Sequence, residues 1–191
     1  MLRRFGVLVV GIACLAISPD AAFANSTIDE TPYDMTAPWP QAPFGDKVGP
    51  AFRNYLRASP YVGTAGAIAI GGIAEAKALG FKTIINLVTA EEGAREERAR
   101  VEAAGLGYIW IPIASGPPTP EQVAEFAGHV GDPANYPILV HCQSANRVGA
   151  IWALYRAAQG VPPAVAVQEG RTIGLKPGRE AAVRERLGLL D

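Results

Sequence analysis

Short apolar runs alternate with helical segments along most of this chain, and that alternation restricts its fold more than any other feature. The runs are rich in branched side chains, and several of the segments between them end at a glycine. Strands that alternate with helices over short connections form a largely parallel sheet with helices on both faces. The sequence therefore predicts an α/β fold with a mostly parallel central sheet. The predicted strands are Tyr61–Ala65, Lys82–Val88, Tyr108–Ile113 and Pro137–Val140.

The predicted helices fill the intervals between these strands and follow the last one. The clearest helix start is at Thr119, which serves as the cap, with Pro120 at the first helical position and Gln122 three residues after the cap. A short helix is also predicted over Arg53–Ser59, ended by Pro60. The other predicted helices are Gly71–Leu79, Glu91–Ala104, Ala150–Gln159, Pro163–Gly170 and Arg179–Leu187.

A chemically distinctive stretch follows the last predicted strand and reads His-Cys-Gln-Ser-Ala-Asn-Arg from residue 141 to residue 147. Cys142 lies between a strand and a helix start, where unpaired backbone N–H groups and the positive end of the helix dipole favour a thiolate. A thiolate is the nucleophilic form of cysteine. Arg147 presents a planar fork that matches two oxygens of a tetrahedral oxyanion. The backbone N–H groups from Gln143 to Arg147 are expected to surround the rest of that anion.

The strand, the His-Cys pair, the short loop, the arginine and the following helix together resemble the cysteine-dependent phosphatases of the protein-tyrosine and dual-specificity class. Those enzymes place five residues between the cysteine and the arginine, usually with a glycine in the loop. Here four residues separate Cys142 from Arg147, and Ala145 and Asn146 stand where glycine is expected.

One bacterial branch of that class has the same short loop, followed by the pattern Arg-x-x-x-aromatic-x-Leu-Tyr-Arg. The residues from Arg147 to Arg156 fit this pattern. The branch consists of phosphatase-like domains that occur alone or fused to beta-lactamase-hydrolase-like or NAD-kinase-like partners. The resemblance extends over roughly Ser59 to Leu187 and implies a dual-specificity-type phosphatase fold.

The resemblance also implies a role for each residue of the loop. Cys142 attacks phosphorus and forms a phosphocysteine that water hydrolyses, and His141 orients the loop and helps to keep the thiolate. No metal or cofactor is implied, and the expected substrate is a phosphorylated protein or a small phosphate ester. A purely structural role is equally expected for Ser144 and Asn146. The residues expected to bind the phosphate are Gln143, Ser144, Ala145, Asn146 and Arg147.

The general acid is not identified by the sequence. Phosphatases of this class usually carry an aspartate after the strand that corresponds to Tyr108–Ile113, but no carboxylate occurs between Glu102 and Glu121. Other carboxylates can be judged only by their distance from the cysteine; they are Glu91, Glu92 and Asp46.

Two alternatives to a phosphatase stay open. A four-residue loop is also used by rhodanese-like sulfurtransferases, in which the tighter ring of amides stabilises a cysteine persulfide and no acid is needed. A module that binds anions or phosphorylated ligands without turning them over is the second alternative. Phosphate release, cyanide-dependent thiocyanate formation and binding without turnover distinguish the three.

The first 24 residues have the pattern of a secretory signal peptide. Arg3 and Arg4 precede an apolar run over Phe5–Ile17, and Ala22-Phe23-Ala24 forms the cleavage site. The mature protein is therefore expected in the periplasm or outside the cell, as a proline-rich extension over residues 25–58 followed by a phosphatase-like domain over residues 59–191. The full chain has 17 Lys and Arg against 18 Asp and Glu, which does not suggest a nucleic-acid surface.

Overall fold

The computed structural model describes residues 39–189. The predicted signal peptide lies outside the described residues. The described part contains a five-stranded sheet, which confirms the predicted α/β class. The strands are β1 (Leu56–Ser59), β2 (Val62–Ala65), β3 (Thr83–Asn86), β4 (Gly107–Trp110) and β5 (Ile138–His141).

The sheet is mostly parallel, with strand order β1-β2-β5-β3-β4. β5 lies between β2 and β3 and is parallel to both, and β4 continues the parallel arrangement beyond β3. β1 pairs antiparallel with β2 at one edge. Because parallel strands end at the same edge of a sheet, the residues that follow β2, β3, β4 and β5 are gathered there.

Six α-helices accompany the sheet within residues 39–189. The cap predicted at Thr119 is confirmed, since its hydroxyl accepts from the Gln122 N–H at 3.3 Å and its own N–H donates to Gln122 Oε1 at 2.8 Å. Short 3-10 turns occur at Gly45–Lys47, Ala90–Glu92 and Pro133–Asn135. The helices are α1 (Gly72–Ala78), α2 (Ala94–Ala103), α3 (Pro120–Val130), α4 (Asn146–Ala158), α5 (Pro163–Ile173) and α6 (Pro177–Arg186).

Two hydrophobic clusters hold the helices against the sheet, and side chains that alternate along the strands reach both of them. On β5, Ile138 and Val140 join the cluster that contains the buried residues of α3 to α6. Leu139 joins the cluster that contains Ala76 of α1 and Val101 of α2. A strand buried on both faces reads as a continuous apolar run, which is what the sequence shows at β5. Within residues 39–189, no helix has the length and apolar character needed to cross a membrane.

The helix predicted over Arg53–Ser59 is wrong. Residues Leu56–Ser59 form β1 instead, and Leu56 pairs with Thr64 of β2. The Thr64 hydroxyl donates to the Leu56 carbonyl at 3.0 Å. Pairing with a strand elsewhere in the chain outweighs a weak local helix propensity, which is why the sequence pattern misled.

Several helix bounds differ from the predictions, and two of these differences affect the candidate site. The helix after the cysteine loop begins at Asn146 rather than at Ala150, so Arg147 lies in its first turn. The segment predicted as one helix over Glu91–Ala104 is divided into the 3-10 turn and α2. Gly93 separates the two with φ 96°, a left-handed conformation that breaks the helical hydrogen-bond pattern and that glycine adopts most readily.

The described part of the proline-rich segment packs against the rest of the fold. Ala42 and Phe52 are buried, and the Tyr55 hydroxyl donates to the Pro43 carbonyl at 2.7 Å. Trp39 makes edge contacts with two tyrosine rings, one in the β1–β2 turn and one two residues before β5. Aromatic residues of this segment therefore anchor it to the domain.

Candidate active site

Cys142 follows β5 directly and lies at the edge of the sheet where the parallel strands end. Its side chain is buried, with 2% exposed. The loop that follows is short, because α4 begins at Asn146. The Gln143 carbonyl accepts from the Ala67 N–H at 3.1 Å, which ties this loop to the one that follows β2. The backbone around Cys142 is thus held by β5 and by the loop that follows β2.

The second half of the loop is fixed by the connection between α5 and α6. Ala145 has φ 64°, and a Cβ added at Gly174 would come within 2.9 Å of its methyl group. The Asn146 side-chain oxygen accepts from the Lys176 N–H at 2.9 Å. Asn146 thus makes a structural contact, and Ala145 adopts the left-handed conformation that costs a residue with a Cβ about 1 kcal/mol or more.

Arg147 lies in the first turn of α4 and is held by three hydrogen bonds. Its Nη1 donates to Glu92 Oε2 at 2.6 Å and to the Leu87 carbonyl at 3.2 Å, and its Nη2 donates to Glu92 Oε1 at 2.5 Å. The Glu92 carboxylate therefore binds the two terminal nitrogens of the guanidinium as a bidentate pair.

One edge of the Arg147 guanidinium is left with two donors. A guanidinium has five N–H bonds, and the contacts above use three of them. The remaining donors are Nε–H and the second Nη2–H, which lie side by side on the same edge, and neither has a partner among residues 39–189. That edge has the spacing that binds two oxygens of a phosphate.

The Arg147–Glu92 pair shifts the pKa of both groups. The hydrogen bond from Arg147 lowers the pKa of Glu92 to about 2, with smaller contributions from the Thr89 backbone and from the charge of Arg147 itself. The same hydrogen bond raises the pKa of Arg147, and the negative charges of Glu92 and Cys142 add to that effect. Glu92 is therefore ionised at neutral pH and orients Arg147 rather than donating a proton.

The other two carboxylates that the sequence raised as candidate acids lie elsewhere. Glu91 is exposed, and hydrogen bonds from its own backbone and from the Thr89 hydroxyl lower its pKa. Asp46 forms an exposed ion pair with Lys47 at 3.4 Å.

His141 is buried at the end of β5 and pairs with a carboxylate of α2. Its Nε2 lies 2.7 Å from Glu97 Oε1, and the Asn86 amide donates to the same oxygen at 2.8 Å. The Asn86 side-chain oxygen in turn accepts from the Val88 N–H at 2.7 Å. This network connects β5, β3 and α2 next to Cys142, and the role predicted for the histidine in orienting the loop stays a prediction.

A cavity of about 320 Å³ opens beside Cys142 and extends along α2. Its wall includes the carboxylates Glu92, Glu96 and Glu97. Glu92 is paired with Arg147, and Glu97 with His141. Glu96 makes no hydrogen bond or ion pair with any residue the structure describes. It is therefore the carboxylate of this wall that has no partner within residues 39–189.

Arg179 is a basic residue near the site that the sequence analysis did not single out. It donates from Nη2 to the Ala114 carbonyl at 3.1 Å and from Nη1 to the Gly116 carbonyl, both in the loop after β4. Burial lowers the pKa of Arg179, and the charge of Arg147 lowers it further, whereas Cys142 and Glu92 act in the opposite direction. Arg179 thus lies within electrostatic reach of Cys142.

The loop after β4, residues 114–118, is hydrogen-bonded to α6. Arg186 of that helix donates to the Pro118 carbonyl, so that two arginines hold residues 114–118. No local sequence pattern identifies such contacts, because they join residues more than 60 positions apart. Within residues 39–189, no group of His, Cys, Asp or Glu side chains is arranged to hold a metal ion.

Solved structures with this fold are cysteine-phosphatase-like proteins. The catalytic core of Siw14 from S. cerevisiae, a PP-IP phosphatase, superposes with a TM-score of 0.58 at 17% identity and covers 69% of this chain and 84% of its own. TpbA from P. aeruginosa, crystallised with phosphotyrosine, gives 0.57 at 22% identity, with 74% and 97% covered. A DUF442 protein from Shewanella putrefaciens gives 0.56 at 23% identity, with 71% and 89% covered.

The sequence comparisons assign the family. No curated protein sequence matches this chain. The family model described as "Beta-lactamase hydrolase-like protein, phosphatase-like domain" matches residues 55–159, which is more than half of the chain and includes the whole cysteine loop. This match and the shared fold support a phosphatase-type hydrolase related to the tyrosine and dual-specificity phosphatases. The chain belongs to the phosphatase-like domain family of the beta-lactamase hydrolase-like proteins.

Proposed function

We propose that this protein hydrolyses phosphate monoesters through a phosphocysteine intermediate on Cys142. The observation that carries the proposal is the edge of Arg147 with two unpartnered donors, fixed by Glu92 at the first turn of α4. A bidentate donor at a helix N-terminus, within electrostatic reach of a cysteine thiol, is suited to hold a phosphoryl group for attack. The solved structures with this fold include the catalytic core of a PP-IP phosphatase and a protein crystallised with phosphotyrosine.

The reaction has two steps. The Cys142 thiolate attacks phosphorus, an S–P bond forms, and the bond to the ester oxygen breaks with its electrons on that oxygen. Water then attacks the phosphocysteine, the S–P bond breaks, and inorganic phosphate leaves with the thiolate restored. Arg147 and the loop N–H groups stabilise the equatorial oxygens in both steps.

Glu96 is the residue that fits best as the proton donor to the departing oxygen and as the base that activates water. It is on the wall of the cavity that contains Cys142 and has no partner among residues 39–189. The loop after β4, residues 114–118, has no carboxylate to offer. An aryl phosphate has a phenol leaving group with a pKa near 10, so its departure needs little help from an acid.

The test is the hydrolysis of p-nitrophenyl phosphate by reduced protein, with Cys142→Ser and Arg147→Lys as active-site variants. Arg95→Lys is the matched control, because Arg95 is an exposed arginine of α2 that does not line the cavity. Wild type and the control should turn over, and both active-site variants should lose at least about 100-fold in kcat/KM. Rapid acid quenching should trap phosphate on Cys142. Turnover that persists in Cys142→Ser would refute the mechanism.

The same preparations separate the alternatives. A sulfurtransferase forms thiocyanate from thiosulfate and cyanide without releasing phosphate from the ester. A binding module retains affinity for inorganic phosphate and shows neither activity. The four-residue loop is compatible with all three, and the Arg147 edge favours the phosphatase.

We also propose that the protein is exported and acts in the periplasm or outside the cell. The proposal rests on the charged, apolar and small-residue pattern of residues 1–24. Expression of the full chain followed by fractionation and N-terminal sequencing tests it, and the exported form should begin at Asn25. A full-length protein retained in the cytoplasm would overturn this localisation.

A further inference from the structure

The Glu92 carboxylate offsets the charge of Arg147 before any ligand binds. The two side chains form a bidentate ion pair, so the guanidinium and the carboxylate together carry no net charge. A phosphate monoester at neutral pH carries about two negative charges, and the thiolate of Cys142 that attacks it carries another. The N–H groups at the start of α4 supply only about half a positive charge. A reacting dianion therefore needs a further cation close to Arg147.

Arg179 of α6 is placed close to Arg147 by the strand ends that both arginines contact. The Leu87 carbonyl, directly after β3, accepts from Arg147 Nη1 at 3.2 Å and from the Ile113 N–H at 3.1 Å. The carbonyl of Ala114, the next residue along the chain, accepts from Arg179 Nη2 at 3.1 Å. One short stretch of backbone after β4 therefore links the two guanidinium groups.

The start of α6 is also held against the cysteine loop. The Lys176 N–H, directly before α6, donates to the Asn146 side-chain oxygen at 2.9 Å. Gly174 lies against Ala145 so closely that an added Cβ would come within 2.9 Å of the alanine methyl group. Arg179 lies in the first turn of this helix. Contacts with the cysteine loop and with the loop after β4 thus both place Arg179 at the edge of the sheet that carries the thiol.

The charge of Arg179 has no carboxylate partner within residues 39–189. Its guanidinium donates to two backbone carbonyls of the loop after β4, which leaves three of its five N–H groups for other acceptors. The side chain is half-buried, and burial and the charge of Arg147 lower its pKa, whereas Cys142 and Glu92 raise it. A half-buried cation close to another arginine is unfavourable unless an anion offsets its charge. An anion bound beside both arginines would provide that offset.

We propose that Arg179 is a second phosphate-binding arginine, which makes the site selective for ligands with two negative charges. This inference rests on the proposed phosphatase activity and adds a substrate-binding residue to it. Arg147 binds two phosphate oxygens through its Nε–H and Nη2–H edge, and Arg179 stabilises the remaining charge from the side of α6. Phosphate monoesters carry two charges, whereas phosphodiesters and sulfate esters carry one. Arg179 lies outside residues 55–159, which the family model matches, so the family assignment does not supply this role.

The test measures the binding of tungstate and perrhenate to the reduced protein by isothermal titration calorimetry at neutral pH. Both anions are tetrahedral, and they carry two negative charges and one, respectively. Because Coulomb energy is proportional to the charge of the ligand, removing a cation should weaken dianion binding by about the square of the factor for the monoanion. Arg179→Gln should therefore lower the affinity for tungstate about tenfold and the affinity for perrhenate about threefold.

Arg186→Gln is the matched control. Arg186 also holds the loop after β4, through the Pro118 carbonyl, but its charge acts on Glu121 at the start of α3. This variant should change the affinity for either anion by less than about twofold. Arg179→Lys keeps the charge and should retain most of the preference for tungstate. Equal losses for both anions in Arg179→Gln, or losses matched by Arg186→Gln, would mean that Arg179 only holds the loop, and would overturn the proposal.

Hydrolysis of p-nitrophenyl phosphate separates this inference from the proposed function. Arg179→Gln should lower kcat/KM for this ester about tenfold, in parallel with the tungstate affinity, and Arg186→Gln should lower it less than about twofold. If wild type hydrolyses no ester, the phosphatase proposal fails, and the two anion affinities still decide the role of Arg179. A wild-type protein that binds neither anion, or binds both equally well, would overturn that role.

Discussion

Replacing Glu92 with glutamine removes the charge that holds Arg147 and keeps nearly the same shape. In the native protein, the carboxylate accepts two hydrogen bonds from the guanidinium and one from the Thr89 N–H at 2.9 Å. Glutamine can accept with one oxygen only, and its NH₂ group faces a guanidinium that also donates. The variant should therefore lose both stability at neutral pH and the fixed orientation of Arg147.

The pKa of Glu92 sets the size and the pH dependence of the stability loss. Its pKa falls from an ordinary 4.5 to about 2, which corresponds to at most about 3 kcal/mol of stabilisation of the folded state. The side chain retains 29% exposure, so solvent screening reduces the expected value to about 1–2 kcal/mol. Because folding lowers this pKa, the stabilisation is fully present above pH 4.5 and is lost as the pH falls towards about 2.

Urea unfolding at a series of pH values measures this effect. The difference in unfolding free energy between wild type and Glu92→Gln should be about 1–2 kcal/mol at pH 7 and should shrink as the pH falls below 4.5. Glu125→Gln, at an exposed position of α3, is the control and should show no such trend. A difference that stays constant from pH 7 to pH 2.5 would mean that the ion pair is not the source of the stability.

Three further predictions follow from other contacts. Gly149→Ala in α4 should destabilise the fold by about 1–3 kcal/mol in urea unfolding, because the new Cβ would lie 2.5 Å from a backbone oxygen of α5. Gly128→Ala in α3 is the matched control: its Cβ would meet no atom within 4 Å, so it should stabilise the fold by about 0.5–1 kcal/mol. Glu96→Gln should slow the hydrolysis of alkyl phosphates about 10- to 100-fold and leave p-nitrophenyl phosphate nearly unaffected, and equal losses on both would exclude it as the acid. Arg179→Met should speed hydrogen exchange in residues 114–118 without unfolding the protein, and unchanged exchange would show that this arginine does not hold the loop.

The sequence contains most of the information on the sheet and on the position of the thiol. The alternation of strands and helices, the cap at Thr119 and the place of Cys142 after a buried strand all depend on residues close together in the chain. The helix start at Asn146 was misjudged by four residues, because Ala145 adopts a left-handed conformation that lets the helix begin early. Strand β1 was missed because its partner, β2, determines its conformation.

The partners of the site residues could not be predicted, because they join distant parts of the chain. Glu92 and Arg147 are 55 residues apart, and Glu97 and His141 are 44 apart. The sequence places the residues after Val88 at the same edge of the sheet as the cysteine. Gly93 then separates Glu92, in the 3-10 turn, from Glu97, in α2, and no local pattern assigns either glutamate to its partner. Arg179 carries no local signal at all.

The distribution of carboxylates around Cys142 limits which element could protonate a leaving group. Residues 114–118 are clamped by α6 and contain no acid, so a leaving group that departed over them would find no proton donor. Glu96 lies instead on α2, in the wall of the cavity that includes Cys142. The residue that fits as the proton donor is thus on a different element from the loop after β4. The same helix would therefore carry both the proton donor and Glu97, which pairs with His141 next to the thiol.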